Sequence, residues 1–309
     1  MQEICGICTY RSTLGQNTAM HDADESPAPV LSVQDHSRDA AGLTYVYPVV
    51  SRRAGGVSIG INLNTNNACN WACSYCQVPD LVRGGPPPVD LAQLHTELDR
   101  FLHEVLAGDF MRDRVPEALR KLRDLAFSGN GEPTASAEFP SAVKVVLQLL
   151  ARHDPAQALK LVVISNGSHV QEPAVQQALV ALAGRRGELW FKLDRGNAPG
   201  RRRVNGIDLP DALILRRLAA AAKCIPVWLQ TCVLACDGNA PDADERAALV
   251  ALVARAQAMG VPLQGVLLYT LARPSLQPGG ERLAALSPEE MEAWAEPLRG
   301  LGLEVRLSA

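Results

Sequence analysis

From Gly56 onward the sequence alternates: a short β-prone run, a turn and a helix-like stretch, repeated through six units. Strict alternation of this kind calls for parallel strands joined by helical crossovers, which sets aside all-helical and all-β folds. The first run, 56–63, carries apolar residues at every second position, the period of a strand with one packed face. Further strands are predicted at 124–128, 161–165, 188–194, 227–234 and 263–269, with a final edge strand at 303–307. Helices are predicted at 91–106, 141–152, 172–183, 211–222, 242–259 and 288–300. An open doubly wound sheet would produce the same string, so periodicity leaves barrel closure open. At 309 residues one barrel-like domain or two smaller ones would fit. The six units favour one: an α/β fold, a partial (β/α)6 TIM-like barrel over 56–309, preceded by an N-terminal extension over 1–55.

That extension has a different character. Residues 17–39 are rich in Asp, Ser, Pro and His without sustained periodicity, which predicts a partly irregular arm. The amino terminus, MQEICGICTYRS, lacks a basic flank followed by an apolar run, and no stretch approaches ~18 consecutive apolar residues. A cytoplasmic protein without membrane attachment is expected, and in that compartment thiols are more often metal ligands or nucleophiles than bridges. Eight cysteines are too few for a disulfide scaffold at this length. A net charge of −3 supplies no general attraction to nucleic acid.

Three of the cysteines sit immediately after the first strand, in Asn64-Thr65-Asn66-Asn67-Ala68-Cys69-Asn70-Trp71-Ala72-Cys73-Ser74-Tyr75-Cys76. The carboxyl end of a strand is where α/β folds carry their chemistry. Three thiolates spaced C-x3-C-x2-C suit a [4Fe-4S] cluster with one iron left open, whereas a closed electron-transfer cluster would take four. A structural zinc ion would need a fourth ligand; none lies in the loop, and His95 falls inside a predicted helix. Non-ligand cysteines at this density in an Asn-rich loop, and a plain electron carrier wrapped in six βα units, are the remaining alternatives.

Cys69, Cys73, Tyr75 and Cys76 together resemble the C-x3-C-x-aromatic-C signature of the radical S-adenosylmethionine (radical SAM) superfamily. The resemblance implies that Cys69, Cys73 and Cys76 hold the cluster and act with it in catalysis, and that S-adenosylmethionine (SAM) chelates the open iron. Phe127-Ser128-Gly129-Asn130-Gly131-Glu132-Pro133-Thr134 is similar to the family's Gly-Gly-Glu-Pro element, which would place Gly131 and Glu132 at the methionyl amino group. Alone, that stretch would read as a tight turn. Ile164-Ser165-Asn166-Gly167 is similar to the family's Thr-Asn-Gly, where Ser165 and Asn166 would contact SAM; alone it is an Asn-Gly turn. The resemblance further implies that Tyr75 and the end of the sixth strand, near Val266, flank the adenine, with Asp194 and Gln230 fixing polar groups.

On the fourth strand alternation sets Leu189, Phe191 and Leu193 against Lys192 and Asp194, and on the fifth it sets Leu229, Thr231 and Val233 against Gln230 and Cys232. Lys192 and Asp194 are either a simple ion pair or working groups. The segments 192–194, 229–231 and 268–274 look like the group related to wyosine-tRNA-modifying enzymes. Such an enzyme implies an electron donor such as a flavodoxin or ferredoxin, and an anionic or tRNA substrate. Arg195 and Arg201–Arg203 form either a solvated loop or a grip for phosphate or carboxylate. Cys5 and Cys8 are either free thiols or half of an auxiliary site completed by Cys224, Cys232 or Cys236. The competing function is a metal-stabilised RNA-binding or scaffold protein without SAM cleavage, against which stand the 5% aromatic content and the absent basic charge.

Overall fold

The computed structural model describes residues 30–32, 41–51 and 55–308; Cys5 and Cys8 lie outside them. Eight strands form one sheet: β1 (Val46–Ser51), β2 (Gly56–Ile61), β3 (Leu122–Phe127), β4 (Lys160–Ser165), β5 (Gly187–Lys192), β6 (Val227–Cys232), β7 (Leu263–Tyr269) and β8 (Glu304–Ser308). From β2 to β8 every neighbour is parallel and follows in chain order. A doubly wound sheet reverses direction at a switch point, and this sheet never does. Because parallel crossovers are right-handed almost without exception, a sheet that always steps the same way carries its helices on one face. The order ends at β1 and β8, so among the described residues the sheet is open rather than a closed barrel.

The crossover helices are α1 (Leu91–Ala107), α3 (Phe139–His153), α4 (Pro173–Ala183), α6 (Asp211–Ala222), α7 (Ala243–Ala258) and α8 (Pro288–Arg299). Two shorter ones, α2 (Phe110–Arg114) and α5 (Ala198–Asn205), complete the set. In α1, Asp90 caps the amino end by accepting the amides of Ala92 and Gln93. Leu94, Leu98, Phe101, Leu102 and Val105 recur at helical spacing and are buried in the core. Facing them are the alternate residues of the strands: Val57, Ile59 and Ile61 of β2, then Leu189 and Phe191 of β5. The other parity, Ser58, Asp124, Trp190, Lys192 and Gln230, faces a cavity on the opposite side of the sheet.

β1 lies within the stretch expected to be an irregular arm, and it pairs antiparallel with β2. Its entry is pinned by Glu97, buried in mid-helix, whose carboxylate accepts the amides of Thr44 at 3.1 Å and Tyr45 at 2.8 Å. No helix among the described residues is long and apolar enough to cross a membrane.

Candidate active site

The cysteine loop leaves β2 and is held from three directions. Ala68–Cys69 pairs with Val82–Arg83 farther along the same loop. The carbonyls of Val204 and Asn205, at the end of α5, accept the amides of Ser74 at 2.7 Å and Ala72 at 3.1 Å. The segment after β7 closes the other flank, where Leu276 N–H, Ser275 Oγ and Gln277 Nε2 all donate to the Cys76 carbonyl. So fixed, Cys69, Cys73 and Cys76 line one wall of a cavity of about 320 Å³, within the ~300–1,000 Å³ usual for small-molecule sites. Burial pushes the Cys69 thiol up to about 11 and the Cys73 thiol up to about 12. Metal binding here therefore displaces protons.

The loop after β3 lines the same cavity and packs directly on the cysteine loop. Gly129 (φ +140°) and Gly131 are placed by close approach: a Cβ would meet Asn62 Oδ1 at 2.3 Å in the first and the Ala68 carbonyl at 2.2 Å in the second. Asn130 stands between them because its side chain is used, donating to Asn67 Oδ1 at 2.7 Å. Glu132 is 2% exposed, and its carboxylate accepts Thr134 N–H at 3.1 Å, Thr134 Oγ at 2.5 Å, Ser165 Oγ at 2.7 Å and Asn166 N–H at 2.6 Å. Three of these donors crowd Oε1, and one falls on Oε2. Glu132 thus braces the β3 loop to the β4 loop, while its Oε2, which accepts only Asn166 N–H, keeps a lone-pair site for a further donor. Asn166 continues the brace, donating to Asn70 Oδ1 at 2.8 Å.

Beneath the cysteines runs a buried polar chain. Lys192 Nζ donates to Tyr75 Oη at 2.7 Å, and Tyr75 Oη donates to Asp194 Oδ2 at 2.5 Å. Asn205 Nδ2 reaches the same oxygen at 2.6 Å, while Asp194 Oδ1 accepts Cys232 N–H at 2.8 Å. Burial pushes the Tyr75 hydroxyl up, reinforced by the Asp194 carboxylate. Burial alone would depress Lys192, but the acidic groups around it, Tyr269 and Asp194 foremost, outweigh that and hold the ammonium charged. Gln230 lines the cavity at 2% exposure, and its Oε1 is buried without a partner. An orphaned acceptor of this kind is costly unless a ligand supplies a donor.

A crystal structure of a radical SAM methyltransferase from Sphaerobacter thermophilus overlies 85% of this chain and 68% of its own, with a TM-score of 0.56 at 16% identity. This chain shares the fold of that methyltransferase. An archaeal TYW1 structure overlies 86% of this chain and 77% of its own at 14% identity, with a TM-score of 0.46. Two UPF0026 proteins from Helicobacter pylori strains are 29% identical over 137 residues, 43% of this chain and 37% of their own length. No family model matches the chain.

Tyr75, Gly131, Glu132, Ser165, Asn166 and Gln230 line the cavity with the three cysteines. Asp194 lies behind that surface and acts as the hub of the buried chain. Val266 does not reach the cavity: with Leu268 it packs in the core, because alternation turns both toward the helices. Tyr269, Thr270 and Leu271 line the cavity at that strand's end instead. The arginines are consumed internally. Arg195 donates to the Asp194 and Cys232 carbonyls, Arg201 to the Leu209 carbonyl and Asp211, and Arg202 and Arg203 pair with Asp208 and Glu245. Cys224 packs on the main core while Cys232 belongs to a separate cluster with Tyr75, Val204 and Leu234. Among the described residues no three Cys, His, Asp or Glu side chains converge on a point that would ligate a single metal ion. The residues that sequence reasoning passed over are Asn205, Ser275 and Gln277. Each acts on the cysteine loop from a distant part of the chain, and no local pattern marks it.

Proposed function

We propose that this chain is a radical SAM enzyme. The observation that carries the reading is the joint one: three cysteines on the loop after the first parallel strand line one cavity together with Gly131, Glu132 and Gln230, whose Oε1 is buried without a partner. Cys69, Cys73 and Cys76 would hold a [4Fe-4S] cluster. That cluster with SAM supplies reductive cleavage of a sulfonium bond and a 5′-deoxyadenosyl radical that abstracts hydrogen from substrate. The protein's share is positional. Glu132 holds the β3 and β4 loops together, so that the Gly131 backbone approaches the cavity closely. Gln230 accepts a donor from the bound molecule. Lys192, kept charged beside the cysteines, offers a cation to a carboxylate.

An electron donor such as a flavodoxin or ferredoxin belongs to this reading, as does a cytoplasmic setting. A tRNA substrate would find Arg202 and Arg203 more than half exposed, while Arg201 is buried against Asp211. Anaerobically reconstituted protein with dithionite is expected to release 5′-deoxyadenosine from SAM. Unchanged turnover in the Cys69→Ala, Cys73→Ala, Cys76→Ala triple variant would refute the assignment.

A further inference from the structure

We propose that Asn205 raises the reduction potential of the cluster by donating a hydrogen bond to the Cys73 sulfur; this rests on the cluster reading above. Asn205 is 1% exposed, and its Nδ2 lies 3.4 Å from Cys73 Sγ and 2.6 Å from Asp194 Oδ2. A side-chain amide nitrogen carries two hydrogens, one for each acceptor. Asp194 also decides the amide's orientation. Turned over, the Asn205 carbonyl would face a carboxylate, so the NH2 must point inward toward the sulfur. Asp194 is held in turn by Tyr75 Oη and the Cys232 amide.

The side chain is not what docks α5 on the loop. Main-chain bonds from Ala72 and Ser74 to the carbonyls of Asn205 and Val204 do that. Gly206, left-handed at φ +64°, lets the chain turn away where a Cβ would stand 2.9 Å from the Ala72 carbonyl. The amide is therefore additional to the clamp. A donor to a ligand sulfur stabilises the electron-richer state, and hydrogen bonds to the sulfurs are among the levers that set cluster potentials.

The test compares wild type, Asn205→Leu and Asn205→Asp after anaerobic reconstitution, without SAM. Iron and sulfide per chain are measured, and the one-electron midpoint is followed by electron paramagnetic resonance. Asn205→Leu is expected to keep its cluster and titrate at a more negative potential, and so is Asn205→Asp, whose carboxyl shares its proton with the adjacent Asp194 carboxylate and leaves none for the sulfur. A midpoint for Asn205→Leu at or above wild type overturns the proposal. Should that variant lose its cluster, a midpoint for Asn205→Asp at or above wild type overturns it equally. Loss of the cluster from both, in chains with native circular dichroism, would make Asn205 a clamp and overturn tuning. A wild type that takes up no cluster refutes the cluster reading, a result distinct from all of these.

Discussion

Glu132→Ala separates two roles for the same carboxylate, a ligand to SAM and an internal brace, because only the brace matters when no SAM is present. Removing the carboxylate strands two main-chain donors, Thr134 N–H and Asn166 N–H, at a site 2% exposed. Each orphaned buried donor costs about 1–3 kcal/mol. The Thr134 and Ser165 hydroxyls can rotate toward other acceptors and add less. A loss of about 3–5 kcal/mol is expected, as for breaking a buried charged network. Glu132→Gln keeps the volume and one acceptor oxygen, which serves the three donors on Oε1, but sets an NH2 against the Asn166 amide; about 1–3 kcal/mol should go. Urea unfolding of the SAM-free protein, with slopes checked for constancy, reads both values. Glu132→Ala within about 1 kcal/mol of wild type, below the penalty for even one stranded donor, would refute the brace and return the carboxylate to the ligand.

Tyr75→Phe removes the hydroxyl between Lys192 and Asp194; the ammonium keeps the ring 5.0 Å away but loses its acceptor, and denaturant unfolding should show a loss of about 1–3 kcal/mol. Gly131→Ala places a Cβ 2.2 Å from the Ala68 carbonyl, so calorimetry on reconstituted protein should find SAM bound at least about tenfold more weakly. Gly85→Ala, with open space around its Cβ, should bind as wild type does. Arg201→Ala should cost about 1–3 kcal/mol in thermal or denaturant unfolding because it strands the Leu209 carbonyl, while Asp211, a third exposed, keeps its pair with Arg255. Arg202→Ala, where both partners of the pair are mostly exposed, should stay within about 0.5 kcal/mol.

What the sequence makes legible is whatever depends on neighbours along the chain. Period-two apolarity locates the strands and assigns their faces, so that Lys192 and Gln230 are rightly turned from the core while Leu189 and Phe191 enter it. The same rule misplaces nothing at Val266; there the error comes from carrying a family contact onto a position whose parity faces the helices. β1 is hidden because its register is fixed by a helical glutamate, Glu97, some fifty residues away. The arginines look like a binding loop because their counter-charges, Asp208, Asp211 and Glu245, are scattered downstream and meet them only once α5 has folded.

The segment after β7 shows how such distant contacts shape a site whose signature is local. Three donors from residues 275–277 converge on one carbonyl, that of Cys76, and Gln77 Oε1 accepts from Arg273 at 2.5 Å. α5 grips Ala72 and Ser74 on the other flank. The cysteine spacing alone leaves the loop many conformations, and each bond from a separate element removes some of that freedom before any ligand arrives. The two grips come from opposite halves of the later chain, one following β5 and the other following β7. A loop encoded near residue 70 is thus completed only when the last parallel strands have paired, which ties the geometry of the cysteines to the integrity of the whole sheet.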